Sequence, residues 1–64
     1  MSYKRIFNRE GEFIAERVDE GDKILIYSRF GEYLGEYIRS SNETYDKFGA
    51  YVGREDLLNT LIPC

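Results

Sequence analysis

The sequence predicts a mainly β domain: an antiparallel sheet or small barrel of about six short strands, made from three hairpin repeats, with one short C-terminal helix. Three observations predict it. A ten-residue motif occurs three times, each copy holds a glycine where a tight hairpin requires one, and helical periodicity is confined to the end of the chain.

The three copies are Ile6 to Ala15 (IFNREGEFIA), Ile26 to Gly35 (IYSRFGEYLG) and Thr44 to Gly53 (TYDKFGAYVG). Each runs aromatic, Asn/Ser/Asp, Arg/Lys, variable, Gly, variable, aromatic, aliphatic, small. Asn8, Ser28 and Asp46 are short polar side chains able to hydrogen-bond the backbone two residues on, which suits the first position of a type I turn. Gly11, Gly31 and Gly49 stand three residues later, where a three-residue hairpin loop needs a left-handed residue. Positive φ is therefore expected at all three glycines.

That loop sets a register. Phe7 should face Phe13, Tyr27 should face Tyr33, and Tyr45 should face Tyr51, while Ile6, Ile26 and Thr44 oppose Ile14, Leu34 and Val52 on the other side. Simple alternation then puts Ala15, Gly35 and Gly53 on the aromatic side, where a missing side chain lets a ring cover the backbone.

Strands are expected at about 3–8, 12–18, 23–28, 32–38, 43–46 and 50–54, grouped as hairpins 4–18, 23–38 and 42–54 of a single domain, 1–64. Asp19-Glu20-Gly21-Asp22 is a further turn. The polar stretch Arg39 to Glu43 is long enough to lead to another part of the sheet. The middle hairpin reads as apolar on both sides, Ile24, Ile26, Leu34 and Ile38 against Leu25, Tyr27, Tyr33 and Tyr37, so it should be central and the other two nearer the edges. From Arg54 on, the leucines and isoleucine share one helical face behind acids in the first turn, which predicts a helix over about 55–62 that Pro63 ends.

The hairpin unit with its glycine and aromatics resembles, in outline, the choline-binding repeats of cell-surface proteins. Those repeats depend on tryptophan, and this chain has none. No binding residue carries over.

Composition narrows the function. A chain of 64 residues is expected to bury only about 60% of the surface its unfolded form exposes, so it needs disulfides, a metal or a partner. Cys64 is the only cysteine and there is no histidine, which removes an internal disulfide and a Cys/His zinc site. Association with protein, most simply with copies of itself, is what remains. Twelve acidic against nine basic side chains give no drive toward nucleic acid. No apolar run approaches a membrane span or a secretion signal, and a lone thiol fits a reducing, cytoplasmic compartment.

No cofactor and no enzyme chemistry are expected. There is no imidazole base, Cys64 has no partner, and Ser28, Ser40 and Ser41 lack a nucleophile-elbow motif. Glu32 and Glu36 would project from one side of a strand roughly 7 Å apart, a glycosidase-like spacing; without a cleft they read as solvated acids. Two features remain for binding. The six tyrosines and four phenylalanines exceed what a small core hides, and Tyr3, Tyr37, Tyr45 and Tyr51 are expected to be exposed or shared with a partner. Arg9, Arg29 and Lys47 share one turn position, and hairpins side by side would align them in a row roughly 10 Å apart. The aromatic face supports a second reading, a stacking platform for single-stranded nucleic acid or oligosaccharide.

Overall fold

The computed structural model describes residues 2–62. Strands β1 (Ser2–Phe7), β2 (Phe13–Asp19), β3 (Lys23–Ser28), β4 (Tyr33–Ile38), β5 (Glu43–Asp46) and β6 (Tyr51–Arg54) precede a 3-10 turn at Leu58–Leu61. They form one antiparallel sheet in chain order, with β1 and β6 as its edges. The sheet stays open, so the barrel alternative is set aside. The β3/β4 hairpin is central, as its two-sided apolar pattern requires.

The three repeat turns are copies of one another. The amides of Gly11, Gly31 and Gly49 donate to the carbonyls of Asn8, Ser28 and Asp46 at 2.9–3.0 Å. Each glycine has positive φ, at 84°, 85° and 81°, respectively. One side-chain oxygen then organises the whole loop: Asn8 Oδ1 accepts from the Glu10 and Glu12 amides, Ser28 Oγ from Phe30 and Glu32, and Asp46 Oδ1 from Phe48 and Ala50. The side chain replaces water at donors the tight turn would otherwise leave unpaired. Gly21, at φ 97°, opens the two-residue loop between β2 and β3, closed by the Glu20 amide on the Lys23 carbonyl.

Beyond each aromatic pair the register slips by one residue. Phe7 opposes Phe13, but Ile6 opposes Ala15; Tyr27 opposes Tyr33, but Ile26 opposes Gly35; Tyr45 opposes Tyr51, but Thr44 opposes Gly53. Ile14, Leu34 and Val52 are thus the extra residues of three β-bulges. A bulge reverses the in-out alternation beyond it. Ala15, Gly35 and Gly53 therefore lie on the face opposite the aromatic pairs, contrary to simple alternation. The same slip exchanges two neighbours: Tyr37 sits opposite Ile24 on the covered face, and Ile38 sits opposite Lys23 on the aromatic face.

The small residues admit the C-terminal segment. A Cβ on Gly35 would lie 2.5 Å from Leu61 Cδ1, and one on Gly53 would lie 2.6 Å from Leu57 Cδ1. Ala15, Ile24, Ile26 and Leu58 form the buried core, with Ile6, Ile14, Leu34, Tyr37, Leu61 and Ile62 packed round it. Fully burying a side chain such as Ile26 or Leu58 contributes roughly 1.5–3 kcal/mol. Two polar anchors fix the segment. Thr44, fully buried, donates its hydroxyl to the Glu55 carbonyl at 2.7 Å and accepts from the Leu57 amide at 3.1 Å. Arg17 pairs with Asp56.

The expected helix over 55–62 is reduced to the single 3-10 turn, without acids in its first turn. Glu55 is left-handed at φ 74°, Thr44 holds the flanking backbone, and Asp56 Oδ1 accepts the Leu58 amide. Tertiary anchoring outweighs the helical pattern of so short a stretch. Pro63, expected to end the helix, lies outside the described residues. The Arg39 to Glu43 break leads only to the adjacent strand: Ile38 opposes Glu43, and Asn42 supplies a left-handed residue at φ 56° for the reversal.

Candidate functional site

The bulges divide the sheet into two unlike faces. The C-terminal segment covers one. The other carries Tyr3, Phe7, Phe13, Tyr27, Tyr33, Tyr45 and Tyr51, and no other element of the described chain packs over it. The three cross-strand pairs have near-identical geometry, with ring centroids 6.1, 5.9 and 5.9 Å apart and planes tilted by 59–66°. Such edge-tilted contacts suit the ring quadrupole. Tyr3, Phe7 and Tyr51 remain 66%, 54% and 54% exposed.

Charges of both signs lie among these rings. Register places Arg5, Lys23 and Arg54 there together with Glu16, Glu36 and Glu43. Arg5 pairs with Glu16 at 3.8 Å and Lys23 with Glu36 at 3.9 Å. The Tyr45 hydroxyl donates to Glu43 Oε1 at 3.0 Å, and this hydrogen bond is the main reason its pKa stands above the usual phenol value. Partial burial, reinforced by the neighbouring Glu36 carboxylate, pushes the Tyr33 hydroxyl up to about 12.

Of the tyrosines expected at a partner surface, Tyr3, Tyr45 and Tyr51 share this face, Tyr45 being half-buried. Tyr37 does not join them. It packs against the core on the covered face, and its hydroxyl donates to Asn42 Oδ1 at 2.5 Å. Phe7 belongs to the exposed face and was legible from the motif, as the first aromatic of an edge repeat. The glutamates were hidden in the sequence, because only the bulge turns Glu16 and Glu36 toward the rings. It also separates the two acids of glycosidase-like spacing: Glu36 faces the aromatics, whereas Glu32 lies before β4 and lines a groove with Leu34.

Arg9, Arg29 and Lys47 sit in the three repeat turns, all at one end of the sheet. Arg29 and Lys47 share a groove of about 550 Å³, which Arg9 does not line. Arg29 lies over Phe30 at 4.9 Å and Lys47 over Phe48 at 5.3 Å. Phe30 and Phe48 are the most exposed rings, at 74% and 82%. Their shared place in the turn was the available signal.

Among the described residues, no group of His, Cys, Asp or Glu is arranged to hold a metal ion, and no helix is long and apolar enough to cross a membrane. Compared with known proteins, the chain matches no family model, no curated protein and no solved structure.

Proposed function

We propose that this chain is a non-enzymatic protein-interaction module that associates with a second copy of itself through the aromatic face. The observation that carries the reading is the exposure of Tyr3, Phe7 and Tyr51 beside three edge-tilted ring pairs, on the one face that the C-terminal segment leaves open. Large apolar rings so placed favour leaving water. The occupant is argued from charge and size. The face balances three cations against three carboxylates, two of the pairs already closed within the chain, so two copies related by a two-fold axis bring no net charge against one another. The broadest outline of the molecule, 33 by 23 Å, is of the order of the ~800 Å² that one partner contributes to a standard interface. The lone cysteine of the sequence fits a cytoplasmic setting.

Sedimentation velocity from low to high micromolar concentration tests this. A dimer is expected in the native chain and a monomer in Phe7→Ser/Tyr51→Ser; a native chain that stays monomeric at every concentration would overturn the proposal. The second reading, a ligand stacked on the same rings, is favoured for a neutral oligosaccharide, whose hydroxyls Glu16 and Glu36 can accept. The same carboxylates oppose the phosphates of a single-stranded nucleic acid. Titration with neutral oligosaccharides and with oligonucleotides at two salt concentrations separates these ligands: oligonucleotide binding that falls steeply with salt would revive the nucleic-acid version.

A further inference from the structure

The groove between the hairpin tips is a separate feature from the aromatic face. Its floor is Ile14 and Leu34, two of the three bulge residues, which continue the apolar core face toward the tips. Its rim is Arg29, Phe30, Glu32 and Lys47. The ion pairs engage Arg5, Arg17, Lys23 and Arg39; among the described residues no carboxylate lies within ion-pair distance of Arg29 or Lys47. Each instead lies over the ring that follows it in its turn, which limits its freedom without satisfying its hydrogen-bond donors.

We infer that this groove binds a small organic monocarboxylate, its apolar body on Ile14 and Leu34 and its carboxylate between Arg29 and Lys47. Three features select that ligand. The volume of about 550 Å³ lies within the range of roughly 300–1,000 Å³ typical of small-molecule sites. An apolar floor rewards a hydrocarbon or aromatic body. Two cations against the single acid Glu32 give the rim an excess of one positive charge, in a chain whose net charge is −3. A guanidinium and an ammonium both donate to carboxylate, and such charge-assisted bonds are stronger than neutral ones. Glu32 at the same rim disfavours a dianion.

The probe is 2-naphthoate, followed by NMR of the isotope-labelled full chain, with 2-naphthamide as its neutral counterpart. Saturable shifts of the Ile14 and Leu34 methyl groups are expected with the acid, and binding about tenfold weaker with the amide. Arg29→Gln and Lys47→Gln should each weaken the acid about fivefold and leave the amide unchanged. Both residues are exposed at turns, so the dispersed spectrum of each variant verifies its fold. Equal affinity for acid and amide, shifts centred on Tyr27, Tyr33, Tyr45 and Tyr51, or no saturation by about 10 mM would each overturn the proposal. A free-acid dipeptide ending in phenylalanine that binds more than about tenfold tighter than naphthoate would overturn the small-molecule assignment in favour of a peptide C-terminus.

Discussion

Gly35 meets Leu61 with no room for a side chain: a Cβ on the glycine would lie 2.5 Å from Leu61 Cδ1 and equally close to the Tyr45 carbonyl oxygen. The β4 strand, the β5 strand and the C-terminal segment come together at this point. Leu61 could rotate away, but the Tyr45 backbone is held in the β4/β5 ladder. Gly53 differs, since its sole close neighbour is the end of the Leu57 side chain. Gly31 differs again: nothing lies within 4 Å of its missing Cβ, and its constraint is a φ of 85°.

The three glycines should therefore rank by mechanism. Gly35→Ala is expected to cost about 3 kcal/mol or more, as overpacking against backbone. Gly31→Ala should cost about 1–2 kcal/mol, from left-handed strain alone. Gly53→Ala should cost about 1 kcal/mol or less, because Leu57 can yield. Urea midpoints of the three variants check the order; Gly31→Ala proving the costliest would show that turn strain, not face packing, limits stability.

Thr44→Val keeps the shape of a fully buried side chain and removes its hydroxyl. The Glu55 carbonyl and the Leu57 amide then lose their partner, a loss of about 1–3 kcal/mol. The effect should be local as well as global. Amide exchange of Leu57 and Leu58 should accelerate more than that of Ile24 or Ile26. Uniform acceleration across the sheet would mean that the segment has no independent opening.

Alkaline pH should unfold the protein partly through Tyr33. Its phenol is raised from 10 to about 12 in the folded chain, so the folded state holds the proton more tightly than the unfolded state. The associated stability is fully present below pH 10 and is lost as pH rises through 10 toward 12. Tyr45 shifts in the same direction. Absorbance titration should show these two phenols ionising above the ordinary phenol range. In Tyr33→Phe the fall in stability over that window should be shallower; an unchanged slope would remove Tyr33 as its source.

The turns were legible in the sequence because each is a local problem. Asn8, Ser28 and Asp46 satisfy amides within four residues, and Gly11, Gly31 and Gly49 adopt the one backbone region their neighbours avoid. Nothing distant is needed, so three copies of a motif gave three copies of a geometry. The aromatic pairs followed, since they lie directly beyond the loops.

What lies past those pairs was decided by the tertiary structure. The pattern aliphatic-small at Ile14-Ala15, Leu34-Gly35 and Val52-Gly53 fits unbroken alternation as well as it fits a bulge. The bulge is favoured because it brings the small residue under the C-terminal segment, where Leu61 and Leu57 fill the space. That choice moved Tyr37 to the core, turned Glu16 and Glu36 toward the rings and parted Glu32 from Glu36. The reduction of the helix has the same cause, because Thr44 and Arg17 hold the chain around Glu55 and Asp56 more firmly than a helix of two turns could hold itself. Short-range hydrogen bonding and backbone preference fixed the hairpins; packing between residues more than ten positions apart fixed which face each strand presents.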